Sequence, residues 1–196
     1  MKIRKFARCL AALAMLASVG VHANLVTNGG FETGNFTGWS TFGFTPQGFD
    51  GVDGAFPQSG SFAAFFGEPT APGGISQTLA TTAGQLYTVS FWLANEVDVN
   101  GLGIPNSFAF NWNGGAAELT LTNVVGPTPY THYSFTLLAT SALTDLTFAF
   151  LSVPAFWDFD TVSVDAARAA PEPGSLALVA LGGGMIAAFK RRRRQA

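Results

Sequence analysis

Gln85-Leu86-Tyr87-Thr88-Val89-Ser90-Phe91-Trp92-Leu93 decides the fold class. Tyr87, Val89, Phe91 and Leu93 fall on one phase of a two-residue period, with Thr88, Ser90 and Trp92 on the other, as in a half-buried strand. The same alternation recurs outward from it. Phe108, Phe110 and Trp112 alternate with Ser107, Ala109 and Asn111; Tyr133, Phe135 and Leu137 with His132, Ser134 and Thr136; Leu146, Phe148 and Phe150 with Asp145, Thr147 and Ala149. Shorter runs at 62–66, 75–79, 117–122 and 156–164 also read as strands. Turn formers separate them: Asn28-Gly29-Gly30, Pro72-Gly73-Gly74, Asn113-Gly114-Gly115 and Gly126-Pro127. Eight or more short antiparallel strands with no helical period predict an all-β two-sheet sandwich of jelly-roll type.

Charge is distributed unevenly around this core. Of the chain's 12 acidic residues all but Glu172 lie within 24–170, and Arg168 is the one Lys or Arg there. That span is strongly anionic, although the whole chain carries only −2. Nucleic-acid binding needs clustered cations that displace phosphate counterions, so it is excluded. The span has no cysteine, so disulfides do not hold it together, and 19 phenylalanines in the chain point to aromatic packing instead.

The two ends have a different character. Lys2, Arg4, Lys5 and Arg8 precede an apolar run from Cys9 to Val21 that ends in Val21-His22-Ala23. A basic start, a short apolar middle and a small-residue exit predict a secretory signal over 1–23, cut by signal peptidase between Ala23 and Asn24. At the other end Pro171-Glu172-Pro173-Gly174 interrupts regular structure. The uncharged segment 175–189 follows, then Lys190, Arg191, Arg192, Arg193 and Arg194 within the terminal 190–196. As a helix the segment would rise about 22 Å, short of the roughly 30 Å hydrocarbon core, so a transmembrane helix is marginal. The basic cluster would stay cytoplasmic by the positive-inside rule, which places 24–170 outside.

Pro171-Glu172-Pro173, the glycine-bearing apolar segment and the arginine cluster together resemble the PEP-CTERM sorting signal of Gram-negative bacteria, over 171–196. The resemblance implies an exosortase as partner, export through the inner membrane to the cell surface or beyond, and a cell that makes extracellular polysaccharide. A second resemblance lies in 24–170. Asn24-Leu25-Val26-Thr27-Asn28-Gly29-Gly30-Phe31-Glu32 with Gly38-Trp39 is similar to the opening of galactose-binding-like jelly-roll modules. Ser76-Gln77-Thr78-Leu79 and 84–92 resemble their middle strands, and Phe159-Asp160-Thr161-Val162-Ser163-Val164 their last strand, departing at Thr161 where a second aspartate is usual. Such modules include carbohydrate-binding domains, and they imply a structural calcium with Glu32 and Asp160 as ligands.

From the residues themselves, Asp160 is in phase with Val162 and Val164 and is expected to point inward, where a carboxylate needs partners. Backbone N–H groups, or a bulge that turns it outward, would serve as well as a metal ion. Trp92 and Trp157 are the candidate sugar platforms, Trp92 because it falls on the polar phase of its strand; Trp39 is assigned to the core. Catalysis has little support: His132 is the one histidine after the signal, and there is no Gly-x-Ser-x-Gly elbow, cysteine nucleophile or zinc ligand set. The expectation is a non-catalytic module that binds carbohydrate, with the cell's own extracellular polysaccharide as its ligand. Its rival is a structural matrix, surface-layer or adhesin component without a defined pocket.

Overall fold

The computed structural model describes residues 23–96, 105–152 and 155–167. The expected signal up to residue 22, Arg168, the Pro-Glu-Pro motif, the apolar segment 175–189 and the basic cluster lie outside these residues. Among the described residues ten strands succeed one another: β1 Ser40–Phe42, β2 Asp50–Asp53, β3 Ala63–Phe66, β4 Gly73–Ala80, β5 Leu86–Asn95, β6 Ser107–Trp112, β7 Ala117–Thr122, β8 Thr128–Leu138, β9 Leu143–Leu151 and β10 Trp157–Ala166. They pair antiparallel in two five-stranded sheets, ordered β1-β4-β9-β6-β7 and β2-β3-β10-β5-β8. This is the expected all-β jelly-roll sandwich.

The inward phases are those read from the alternation. Tyr87, Val89, Phe91 and Leu93 of β5 face Phe108, Phe110 and Trp112 of β6 and Leu146, Phe148 and Phe150 of β9 across the interior, and all are buried. Phenylalanine rings make the contact continuous. The Phe91 ring lies 5.2 Å from Phe148 and 5.4 Å from Phe110, and Phe66 stacks on Phe150 at 3.9 Å. Each such ring, taken wholly out of water, contributes roughly 1.5–3 kcal/mol. Trp39 joins this core, its indole Nε1 donating to Asn28 O at 3.2 Å.

The N-terminal segment closes the sandwich against β10. Leu25 N–H donates to Val164 O and Val162 N–H to Gly29 O. Gln77 points inward and bonds both Thr27 N–H and Thr27 O with its amide. β10 itself is irregular. Its pairing with β5 slips between Asp160 and Ser163, and Thr161 sits there at φ 53°. The extra residue reverses the alternation: Phe159 is inward before the bulge, Val162 and Val164 after it. Asp160 is therefore not in phase with Val162, contrary to the sequence expectation, and belongs to the outer face with Asp158.

Candidate functional site

The two outer faces differ. The first sheet presents Ser76, Thr78, Ala109, Asn111, Thr147 and Ala149 between its inward residues, a small and polar surface. The second presents Phe65 on β3, Asp158 and Asp160 on β10, Trp92 and Ala94 on β5 and His132 on β8. The register sets Phe65 beside Asp158, Asp158 beside Ala94, and Asp160, Trp92 and His132 in one row. The acids and rings that line a groove are on this second face.

The β2–β3 connection is laid over that face and held there by two carboxylates. Asp160, fully buried, accepts the N–H groups of Gln58 and Ser59 on Oδ2, each at 3.0 Å, and that of Thr161 on Oδ1. Glu32 accepts Ser61 N–H and Phe62 N–H. Thr161, the bulge residue, ties the same loop through its hydroxyl to Ser59 Oγ and Gln58 Oε1. Gly60 has to be glycine: φ is +67°, and a Cβ there would lie 2.2 Å from Glu32 Oε1. So held, the loop projects Phe56, which is 60% exposed, and Tyr130 OH donates to Phe56 O at 2.7 Å.

Between this loop, β3, β5 and β8 lies a groove in two adjoining parts of about 220 and 480 Å³, which share Phe56, Glu96 and Asp158. One part is completed by Phe65, Phe156 and Asp53, the other by Ala94, Pro127, Pro129 and Tyr130. Phe65 and Phe156 meet edge to face at 5.6 Å. Burial, then the charges of Glu96 and Asp53, push the Asp158 carboxyl up to about 7. Burial and the charge of Asp53 raise Glu96 as well. Burial and the facing carboxylates push the Tyr130 phenol up, keeping it a neutral hydrogen-bonding group. The described residues contain neither Lys nor Arg, so among them no ion pair with either compensates this cluster.

The candidates read from sequence are distributed as follows. Trp92 lies on the outer face as its phase predicted, half-buried, its ring 4.9 Å from His132; it stands one strand repeat from Ala94 at the groove edge but does not line it. Trp157 is corrected. It is 1% exposed, its Nε1 donates to Leu151 O at 3.0 Å and its ring lies 6.1 Å from Phe108, because it shares the inward phase of Phe159. Asp160 and Glu32 both meet the 57–62 loop, but their oxygens accept five backbone N–H groups, a donor set that suits an anion. Among the described residues no three His, Cys, Asp or Glu side chains are gathered to hold a metal ion. The residues as placed do not fit the calcium implied by resemblance, since backbone N–H groups take up the oxygens that would hold it. Sequence reading missed Phe56, Phe65, Phe156 and Tyr130. The one signal for Phe65 is an aromatic ring on the polar phase of its strand.

Comparison with known proteins agrees with this architecture. Residues 169–194 match the family of the PEP-CTERM protein-sorting motif. No curated protein matches the chain as a sequence relative. Among solved structures, TmCBM61 in complex with β-1,4-galactotriose superposes with a TM-score of 0.59 at 19% identity, covering 74% of this chain and 99% of that one. The CBM22-1 xylan-binding domain of Paenibacillus barcinonensis Xyn10C gives 0.52 at 17%, covering 76% and 97%. The K3 cleaved adhesin domain of Lys-gingipain from Porphyromonas gingivalis gives 0.53 at 14%, covering 72% and 98%. At these identities the likeness is one of fold. The motif implies export across the membrane to the cell surface or extracellular space. The chain thus carries a PEP-CTERM sorting motif at 169–194, preceded by a domain with the jelly-roll fold of carbohydrate-binding modules.

Proposed function

We propose that the chain is an exported, exosortase-processed surface or extracellular protein of a Gram-negative bacterium, and that its jelly roll binds a glycan without cleaving it. The observation that carries this reading is the groove on the outer face of the second sheet. Exposed Phe56 offers a ring against which the C–H face of a sugar can stack, and Asp158, Glu96 and Tyr130 stand where sugar hydroxyls could bond. The fold shared with carbohydrate-binding modules supports it. Signal peptidase cleavage after Ala23, membrane anchoring of the precursor through 175–189 and the cell's own extracellular polysaccharide as ligand belong to the same proposal.

The adhesin-like neighbour favours a second reading, display or self-association without a sugar site. A glycan panel, including the organism's polysaccharide, separates the two. Saturable binding that Phe56→Ala weakens supports the groove; no binding by folded protein supports display. Three acids, Asp53, Glu96 and Asp158, line this groove, and hydrolysis of a glycan uses a carboxyl pair. Recovery of oligosaccharides intact after prolonged incubation is the result expected of a binding module, and shortened products would overturn it.

A further inference from the structure

Asp158 is 6% exposed, lines both parts of the groove and accepts no hydrogen bond from any described residue. A buried carboxylate left without a donor is costly, and native proteins normally supply one. Here the neighbours make matters worse, since Asp53 and Glu96 line the same groove and the other lining residues are rings, prolines, alanines, Asn95 and Thr128. Among the described residues no cation and no donor stands beside this carboxyl, and its acidic neighbours repel its charged form.

Resting on the carbohydrate reading above, we propose that the groove takes a glycan bearing free amino groups, an unacetylated hexosamine chain, with a sugar ammonium donating to Asp158. A uronate or sulfated chain would bring like charge against three carboxylates. A neutral sugar could donate hydroxyls but would not offset the repulsion among Asp158, Glu96 and Asp53. A metal ion is a poor fit, because the three carboxylates do not converge on one coordination point. An ammonium carried on a sugar ring meets each requirement. Its charge-assisted hydrogen bonds serve Asp158, Glu96 and Asp53 lie within the same field, and Phe56, Phe156 and Tyr130 offer π faces to cation and sugar alike.

Calorimetric titration of the purified full chain with β-1,4-linked glucosamine hexamer, N-acetylglucosamine hexamer, galacturonate hexamer and a lysine tetramer tests this. The glucosamine hexamer is expected to bind at least about tenfold more tightly than the other three, the difference a hydrogen bond to a charged group makes. The preference should shrink as salt is raised. Asp158→Asn, which keeps the side-chain shape and removes the charge, is expected to abolish the preference, with near-ultraviolet circular dichroism confirming the fold. N-acetylated or acidic oligomers binding as tightly would overturn the amino-sugar proposal and leave the carbohydrate reading standing. If none of the three saccharides binds, the amino-sugar proposal falls, and the glycan panel decides whether the carbohydrate reading falls with it. A lysine tetramer binding as well as the glucosamine hexamer, or an unchanged preference in Asp158→Asn, would overturn the proposal too.

Discussion

Carboxylates without cationic partners set the behaviour of single residues here. Away from the groove, Asp50 faces Glu68. Burial, then the neighbouring Glu68 carboxyl, push Asp50 up to about 8. A carboxyl whose folded pKa is raised holds its proton in the native state after the unfolded chain has released it. Its contribution to stability is therefore complete below about pH 4, the unfolded value, and is lost as pH rises through about 8. Asp158, up to about 7, acts in the same direction over a narrower window. The melting temperature is expected to fall from pH 5 to pH 9, and Asp50→Asn to flatten the upper part of that slope; a melting temperature that rises over the range would contradict it. Asp160 poses the opposite problem, a carboxylate saturated by N–H donors. Asp160→Ala strands the N–H groups of Gln58, Ser59 and Thr161 and is expected to cost about 2–3 kcal/mol in urea unfolding.

At the scale of strands and loops, what was legible in the sequence depended on length and regularity. β5, β6, β8 and β9 each carry three or more alternating apolar residues, so period 2 found them. β1 and β2 are three and four residues long within a Gly-rich stretch, too short to show a period. The bulge at Thr161 was legible only as an alternative for Asp160: one positive-φ residue reverses every later phase of β10, and a Thr there does not mark the place as a Gly would. That one residue explains why Asp160 was expected inside, and why it instead clamps the loop carrying Phe56. Trp157 and Phe65 show the limit from both sides, since a ring in a strand looks the same facing core or groove. Gly60→Ala brings both a disfavoured φ and a clash with Glu32. It is expected to cost more than about 1 kcal/mol and to weaken glycan binding along with stability. Weakened stability with intact binding would show that the loop does not position the site.

The whole molecule divides its labour between its two faces and its interior. With no cysteine or Lys–carboxylate pair among the described residues, cohesion rests on the ring cluster. Phe91→Ala is expected to cost about 3–5 kcal/mol, read by denaturant unfolding, whereas Phe56→Ala should leave stability within about 0.5 kcal/mol because the ring is mostly exposed. The second sheet, freed from holding the protein together on its outer side, can then carry buried acids and exposed rings at the groove. The sorting motif outside the described residues would deliver that face to the cell exterior, where glycans are met. Amide chemical-shift mapping of the isotope-labelled protein with a bound oligosaccharide examines this directly. Perturbations are expected to cluster at residues 53–56, 94–96, 128–130 and 156–158. Saturable binding whose shifts fall on the first sheet, or no shifts with any glycan of the panel, would contradict it.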